Sequence, residues 1–200
     1  MSGLILASTS ASRRAILEAA GIAFTAIAPG VDEDAAKAGL LAADAGPLDV
    51  AVQLASLKAI AVSRLHSGLV IGADQTLELD GAMFDKPRDL AEARRTLEAL
   101  RGRTHLLHSA VTVASGGEAL WSDVVTAALT MWPFSDGFLD RYLADQGDRV
   151  LSSVGAYLLE GRGIQLFEEI EGDHFAILGL PLLPLLNYLR AAAADQVEAA

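Results

Sequence analysis

The stretch from Leu69 to Pro87 constrains the fold more than any other part of this 200-residue chain. The apolar residues 69–71 predict a buried strand that ends at Gly72-Ala73, where small residues would let a ligand approach the backbone closely. Residues 77–79 then alternate as a half-buried strand does, and Asp80-Gly81 is a strong signal for a two-residue turn. The sequence therefore predicts a strand, a break and a tight β-hairpin.

This hairpin predicts that charged side chains meet. With a two-residue loop, position 86 lies opposite position 75, so Lys86 returns to the neighbourhood of Asp74 and Gln75. Such a pair is most often a weak ion pair at the surface. The alternative is a pair that belongs to a functional site. It gains weight because the chain contains only three lysines, Lys37, Lys58 and Lys86.

Composition indicates one folded domain, residues 1–200, with two lobes. Hydrophobic residues make up 52% of the chain and charged residues 20%, so a full hydrophobic core is expected. No apolar run reaches the ~18 residues of a membrane span, and the N-terminus lacks the pattern of a signal peptide. We therefore expect a cytoplasmic protein without a membrane partner.

Charge and cysteine content exclude several classes of function. The formal net charge of −11 argues against a nucleic-acid polymer as partner, because binding a phosphate backbone requires a basic face. A single small anion stays compatible with this charge if it meets a locally positive pocket. The absence of cysteine excludes disulfides, thiolate metal sites and a cysteine nucleophile.

A hydroxyl-rich turn leads into the first predicted helix. The apolar residues 4–7 predict a strand, and Ser8, Ser10 and Ser12 precede or enter a helix that carries Arg13-Arg14 in its first turn. Free N–H groups and the helix dipole favour an anion at this end, whereas cations there are unfavourable unless an anion joins them. We favour an anion site. The alternative is that Ser10 or Ser12 only caps the helix and the arginines are solvated.

Two further segments contain charged side chains of interest. The acidic run Asp32–Asp34 is either a solvated loop or a set of ligands for a hard cation, and residues 35–46 predict a mobile loop or a short helix. A long helix is predicted from Pro47, which is favoured in a first turn. Lys58 lies beside the apolar stripe of that helix. Its side chain either follows the stripe to solvent or directs its ammonium into a cleft.

The second half of the chain predicts mainly strands. Residues 104–113 and 119–132 predict a long antiparallel hairpin. Val154 to Leu159 and Ile164 to Ile170 predict two further strands, separated by Glu160-Gly161-Arg162-Gly163. The glycines on both sides of Arg162 indicate either a turn that a ligand can reach or a simple hairpin.

Motifs along almost the whole chain, taken in order, resemble one family. They are Ser8 to Arg14, Val31-Asp32-Glu33, Lys58-Ala59, Ile71-Gly72-Ala73-Asp74, Lys86-Pro87, Gly102-Arg103-Thr104-His105, Gly155-Ala156-Tyr157, Gly161-Arg162-Gly163 and Gly179-Leu180-Pro181-Leu182. Together they resemble the Maf family of nucleoside triphosphate pyrophosphatases. No single motif suffices, but their number, order and spacing are specific.

The resemblance implies an α/β fold of the inosine-triphosphatase-like type, with a mixed twisted sheet, flanking helices and a central cleft between two lobes. It implies hydrolysis of a nucleoside triphosphate to the monophosphate and pyrophosphate with a divalent cation, Mg²⁺ or Mn²⁺. Asp74 matches the proton acceptor of the family, and Glu33 and Asp74 are the expected metal ligands. The other implied catalytic residues are Lys58, Lys86 and Glu33, and the expected substrate-binding residues are Ser8, Ser10, Ser12, Arg13, Arg14, Gln75 and Glu160.

Departures from the common family pattern bear on the base. Gln75 replaces a threonine and Glu160 a glutamine, and both resemble the subgroup that hydrolyses 7-methyl-GTP. A carboxylate suits the N1–H and amino group of guanine and attracts the positive charge of a methylated base. Ala11-Ser12 replaces a Pro-Arg pair, and the subgroup has an aromatic residue where Ser12 stands, so stacking there is lost. We expect a modified guanine nucleotide.

Two alternatives stay open. One is a pyrophosphatase for UTP or dTTP. The other is a nucleotide-binding regulator without catalysis, as the family's link to septum formation suggests, although an intact Asp74 with two lysines favours an enzyme. A homodimer is compatible with the resemblance.

Overall fold

A computed structural model describes residues 3–198, which form an α/β architecture. The strands are β1 (Ile5–Ala7), β2 (Thr25–Ile27), β3 (Val70–Leu79), β4 (Ala82–Phe84), β5 (Thr104–Ser115), β6 (Glu118–Met131) and β7 (Phe167–Glu171). The α-helices are α1 (Ala11–Ala19), α2 (Glu33–Ala42), α3 (Pro47–Ser63), α4 (Leu90–Leu100), α5 (Asp136–Gln146), α6 (His174–Ile177) and α7 (Leu182–Glu198).

The strands form one mixed sheet in the order β2-β1-β3-β5-β6-β7, and β4 pairs with β3. β1 is parallel to both β2 and β3, whereas the β3–β4 and β6–β7 pairs are antiparallel. The expected α/β fold with a mixed sheet is confirmed. Within the described residues, no helix combines the length and the apolar character needed to cross a membrane.

The chain divides into two compact units. The first contains the residues up to Gln75, the segment Ser109–Val125 and the residues from Asp173 onward. The second contains Thr76–His108 and Thr126–Gly172. The single two-lobed domain with a central cleft stays a prediction.

The core of the first unit packs α1 and α7 on the strands. Leu6 on β1 and Ile71 on β3 are fully buried, as are Leu17 on α1 and Leu180 just before α7. Burying such side chains is worth about 1.5–3 kcal/mol each, so this cluster holds the ends of β1 and α1 in place. Those ends carry the hydroxyl-rich turn.

The predicted break at Gly72-Ala73 is wrong, because β3 continues from Val70 to Leu79. A Cβ atom on Gly72 would lie 2.2 Å from the carbonyl oxygen of Ala55 and 2.6 Å from the amide nitrogen of Ala59. Glycine is therefore required because helix α3 packs directly on the strand. The expectation that a ligand uses this space is also wrong.

The predicted β-hairpin is confirmed. Leu79 pairs with Ala82, and both turn residues have positive φ, 52° for Asp80 and 81° for Gly81, as a type I′ turn requires. The register is the one that the two-residue loop predicts. The approach of Lys86 to Asp74 stays a prediction.

Two strand predictions in the second unit need correction. Val154 to Leu159 is not a strand. In the second run, Ile164 to Ile170, the strand begins only at Phe167, because a 3-10 helix occupies Arg162–Leu166. Tyr157 turns inward to hydrogen bond with Nε2 of His105 at 2.8 Å, which fixes the first run as an irregular buried loop. The segment around Arg162 is therefore not a simple hairpin.

Candidate active site

Lys58 is the centre of a buried charge cluster in the first unit. The residue is 4% exposed, and Nζ lies 2.6 Å from Oδ1 of Asp74 and 2.6 Å from Oε2 of Glu33. A buried ammonium requires such partners, because removing a charge from water costs several kcal/mol. The side chain therefore points inward, and the alternative in which it follows the apolar stripe to solvent is wrong.

Asp74 lies in the middle of β3, not at a strand end as the predicted break implied. Its side chain is 12% exposed, so Lys58 fixes the carboxylate while part of it still reaches solvent. A rigid strand and a short ion pair leave this carboxylate little freedom. Such a group is suited to accepting a proton from a precisely placed water.

Glu33 reaches the cluster from the first residue of α2. Asp32 caps this helix by accepting a 2.9 Å hydrogen bond from the amide nitrogen of Ala35. The acidic run therefore begins a helix, where carboxylates are favoured by the helix dipole, and is not a solvated loop. The Glu33 side chain remains 46% exposed, so a ligand in solvent can reach it.

The hydroxyl-rich turn before α1 is held by its own hydrogen bonds. Ser8 is buried, and its Oγ accepts a 3.1 Å hydrogen bond from the amide nitrogen of Ser10. Ser10 in turn caps α1 by accepting from the amide nitrogen of Arg13. Of the two predicted caps, Ser10 is confirmed, and Ser12 lies one position inside the helix. The first N–H groups of α1 are those that a helix leaves unpaired.

The two arginines of α1 have different surroundings. Arg13 is half-buried and donates from Nε to the carbonyl oxygen of Gly179 at 2.8 Å, whereas Arg14 is exposed. Burial lowers the pKa of Arg13, and the negative charges of Asp74 and Glu33 oppose this shift. The solvated alternative is therefore wrong for Arg13.

Lys37 is a candidate that the sequence analysis did not select. It lies on α2 one turn after Glu33 and is half-buried. Burial lowers its pKa, and the charges of Asp74 and Asp34 oppose this shift. The signal in the sequence is the four-residue spacing from Glu33, which places both side chains on one helix face.

The first unit contains most of the predicted site residues, namely Ser8, Ser10, Ser12, Arg13, Arg14, Glu33, Lys58, Asp74 and Gln75. Lys86 and Glu160 belong to the second unit, and Glu160 is exposed in a turn. Their participation stays a prediction.

The donor set suits a divalent cation that is shared with a substrate. Among the side chains that the structure describes, no group of three or more His, Cys, Asp or Glu residues could hold a metal ion. Mg²⁺, however, is usually held by one or two carboxylates together with substrate phosphates. Glu33 and Asp74 could supply that share, because Lys58 contacts one oxygen of each, Oε2 and Oδ1, at 2.6 Å and the Glu33 side chain is 46% exposed.

A comparison with known protein families shows which family the chain belongs to. The sequence model of a family described as Maf-like protein matches residues 3–192. The chain belongs to the Maf family. This match spans both units, so the resemblance found from separate motifs is confirmed.

Individual relatives align with this chain over nearly their full length. A nucleoside triphosphate pyrophosphatase of Caulobacter vibrioides is 58% identical over 185 residues, which cover 92% of this chain and 93% of that protein. A 7-methyl-GTP pyrophosphatase of Rhizobium meliloti is 54% identical over 192 residues, which cover 96% of each chain. A nucleoside triphosphate pyrophosphatase of Granulibacter bethesdensis is 52% identical over 188 residues, which cover 94% of this chain and 95% of that protein.

Proposed function

We propose that this Maf-family chain hydrolyses a nucleoside triphosphate to the nucleoside monophosphate and pyrophosphate. The observation that carries the proposal is the position of Lys58, 2.6 Å from a carboxylate oxygen of both Asp74 and Glu33. A buried ammonium held by two carboxylates gives little net stability by itself, so a chain that contains few lysines is expected to use it for function. The names of the relatives support the same reaction.

In this proposal Asp74 is the proton acceptor. A water molecule attacks the α-phosphorus and transfers a proton to the carboxylate, and the bond to the oxygen that bridges to the β-phosphorus breaks. The monophosphate keeps the new oxygen, and pyrophosphate leaves. Lys58 orients the carboxylate and offsets the charge of Glu33, so the base is placed before substrate arrives.

The triphosphate brings several negative charges that the site must stabilise. Arg13 at the start of α1 supplies fixed positive charge beside the carboxylates, and Lys37 adds a second cation from α2. We assign Arg14 and Lys86 to the same task. A divalent cation bound by Glu33 and Asp74 supplies further neutralisation of phosphate charge. Ser8 and Ser10 shape the turn that presents the N–H groups of α1.

For the base, we propose 7-methyl-GTP as the preferred substrate. Support comes from Gln75 and Glu160, which match the subgroup with this activity, and from the relative in Rhizobium meliloti with this name. Glu160 is exposed and lies in a turn outside the helices and strands, so its carboxylate is accessible to the edge of a base. UTP and dTTP are the competing substrates.

A nucleotide panel tests the proposal. Pyrophosphate release is measured with Mg²⁺ from 7-methyl-GTP, GTP, UTP, dTTP and CTP at equal concentrations. We expect the highest kcat/KM for 7-methyl-GTP and a loss of that preference in Glu160→Gln. A preference for UTP or dTTP would contradict the base assignment but not the reaction. Absence of pyrophosphate release from every nucleotide would contradict both.

A further inference from the structure

The side-chain amide of Gln75 makes its hydrogen bonds within the protein. Its Nε2 lies 2.8 Å from Oγ of Ser109, 3.0 Å from the carbonyl oxygen of Ala176 and 3.0 Å from that of Ile177. Carbonyl oxygens only accept, so the atom among them is the NH₂ nitrogen. Both hydrogens of the amide are therefore engaged, and this NH₂ group does not donate to a base.

Ser109 completes the arrangement. It is fully buried on β5, and its hydroxyl donates to the carbonyl oxygen of Ala176 at 2.6 Å. Because its hydrogen is used in this way, Ser109 accepts the hydrogen bond from Gln75. A side chain without solvent exposure cannot touch a substrate, so Ser109 acts through its neighbours.

Those neighbours belong to a short turn, residues 176–179, which begins in the last two residues of α6 and ends before α7. The amide nitrogen of Gly179 donates to Ala176 at 2.8 Å, and Gly179 has φ +101°, a conformation that favours glycine. The carbonyl oxygen of Gly179 accepts the 2.8 Å hydrogen bond from Nε of Arg13. The turn therefore links Gln75 and Ser109 to an arginine of the candidate site.

The link is compact. A Cβ atom built on Gly179 would lie 3.6 Å from Nε of Arg13 and 3.9 Å from Oε1 of Gln75, so the three residues surround one point. The bond to Gly179 uses only Nε of the guanidinium. It fixes the plane of the group and leaves the edge with the two terminal nitrogens to bind a phosphate in bidentate fashion.

We propose that Gln75 and Ser109 are positioning residues that hold the 176–179 turn so that Gly179 orients Arg13 for triphosphate binding. This inference rests on the proposed function. It gives Gln75 a role in phosphate affinity through Arg13, in place of a hydrogen bond from its amide to the base.

The test uses Gln75→Met, which removes the donor and keeps the length of the side chain, and Ser109→Ala. Gln53→Met is the matched control, because Gln53 is exposed on α3. We expect about a tenfold rise in KM for Gln75→Met with the same factor for 7-methyl-GTP, GTP and UTP, a similar effect for Ser109→Ala, and no change for the control. A changed ratio among the bases would show direct base contact and overturn the inference.

A double-mutant comparison separates an effect of Gln75 on Arg13 from a general disturbance of the structure. In an Arg13→Ala background, Gln75→Met should change KM less than twofold, whereas a full tenfold effect would overturn the inference. Thermal unfolding identifies variants that fail to fold. If Gln75→Met does not fold, Gln75→Leu provides a second test with the same expectation, because a leucine side chain also donates nothing to the two carbonyl oxygens.

Binding of α,β-methylene triphosphate analogues with guanine and uracil bases, measured by calorimetry, keeps the two proposals distinct. If the wild type releases no pyrophosphate but binds both analogues, and Gln75→Met weakens both through Arg13, the function fails and the positioning role holds. If the wild type turns over and the two substitutions are additive, the positioning role fails. If neither analogue binds, both fail.

Discussion

Lys58 donates a 2.6 Å hydrogen bond to Oδ1 of Asp74 from a helix that packs against the strand carrying this carboxylate. The two side chains are 5% and 12% exposed, so the ion pair is largely withdrawn from water. Glu33 adds a second carboxylate to the same ammonium. One lysine thus contacts both acidic groups and fixes their orientation.

Removal of this ammonium should destabilise the protein. Lys58→Met leaves Asp74 as a buried charge without its partner, which costs about 3 kcal/mol or somewhat less, because Glu33 is half-exposed. Urea unfolding measures this loss. Adding Asp74→Asn should restore part of it, because the uncompensated charge is gone. Equal stability of the single and double variants would show that the uncompensated charge of Asp74 is not the cause of the loss.

Gly72 should tolerate no side chain. In Gly72→Ala the new Cβ meets the backbone of Ala55 at 2.2 Å, so α3 and β3 must separate, and we expect a loss of about 3 kcal/mol or more. Gly39→Ala on α2 is the control, since apart from its chain neighbours and the backbone of its own helix nothing lies within 4 Å of its Cβ position. There we expect a gain of about 0.5–1 kcal/mol. Thermal and urea unfolding compare both, and a stable Gly72→Ala would contradict the packing described.

His105 should make stability depend on pH. Burial lowers its pKa from the ordinary value of 6.5 to about 4. Between these values the unfolded chain binds a proton that the folded chain does not, so stability falls as the pH falls from 6.5 to 4. The limit of the effect is about 3 kcal/mol. Unfolding at several pH values should show a weaker dependence in His105→Gln and an unchanged one in His66→Gln, which alters an exposed histidine. An equal dependence in His105→Gln would exclude this origin.

Local patterns predicted the local structure well. Asp80-Gly81 specifies a type I′ turn through the conformations of its own residues, and Ser10 caps α1 by a bond three residues away. Such features depend on neighbours in the sequence. The composition of residues 154–159 also fits a strand, but the hydrogen bond of Tyr157 to a distant histidine decides otherwise.

Partners distant in sequence limited the site prediction. The position of Lys58 beside an apolar stripe is unusual, but its spacing on α3 is the same whether the side chain points inward or toward solvent. Gly72 indicates that another group approaches the strand closely, but the sequence does not show which group. In the structure it is helix α3. Lys37 lies in a segment with weak hydrophobic patterning, and Ser109 looks like an ordinary strand residue until the turn at Ala176 is known.

Comparing wild type with Asp74→Asn tests most directly whether Asp74 is the proton acceptor. Pyrophosphate release from 7-methyl-GTP with Mg²⁺ is measured beside the affinity for an α,β-methylene triphosphate analogue. Because asparagine keeps the shape of the side chain but cannot accept the proton, we expect turnover to fall at least a hundredfold, with analogue affinity within about fivefold of wild type. Turnover near the wild-type rate in Asp74→Asn would contradict the assignment of Asp74 as the proton acceptor.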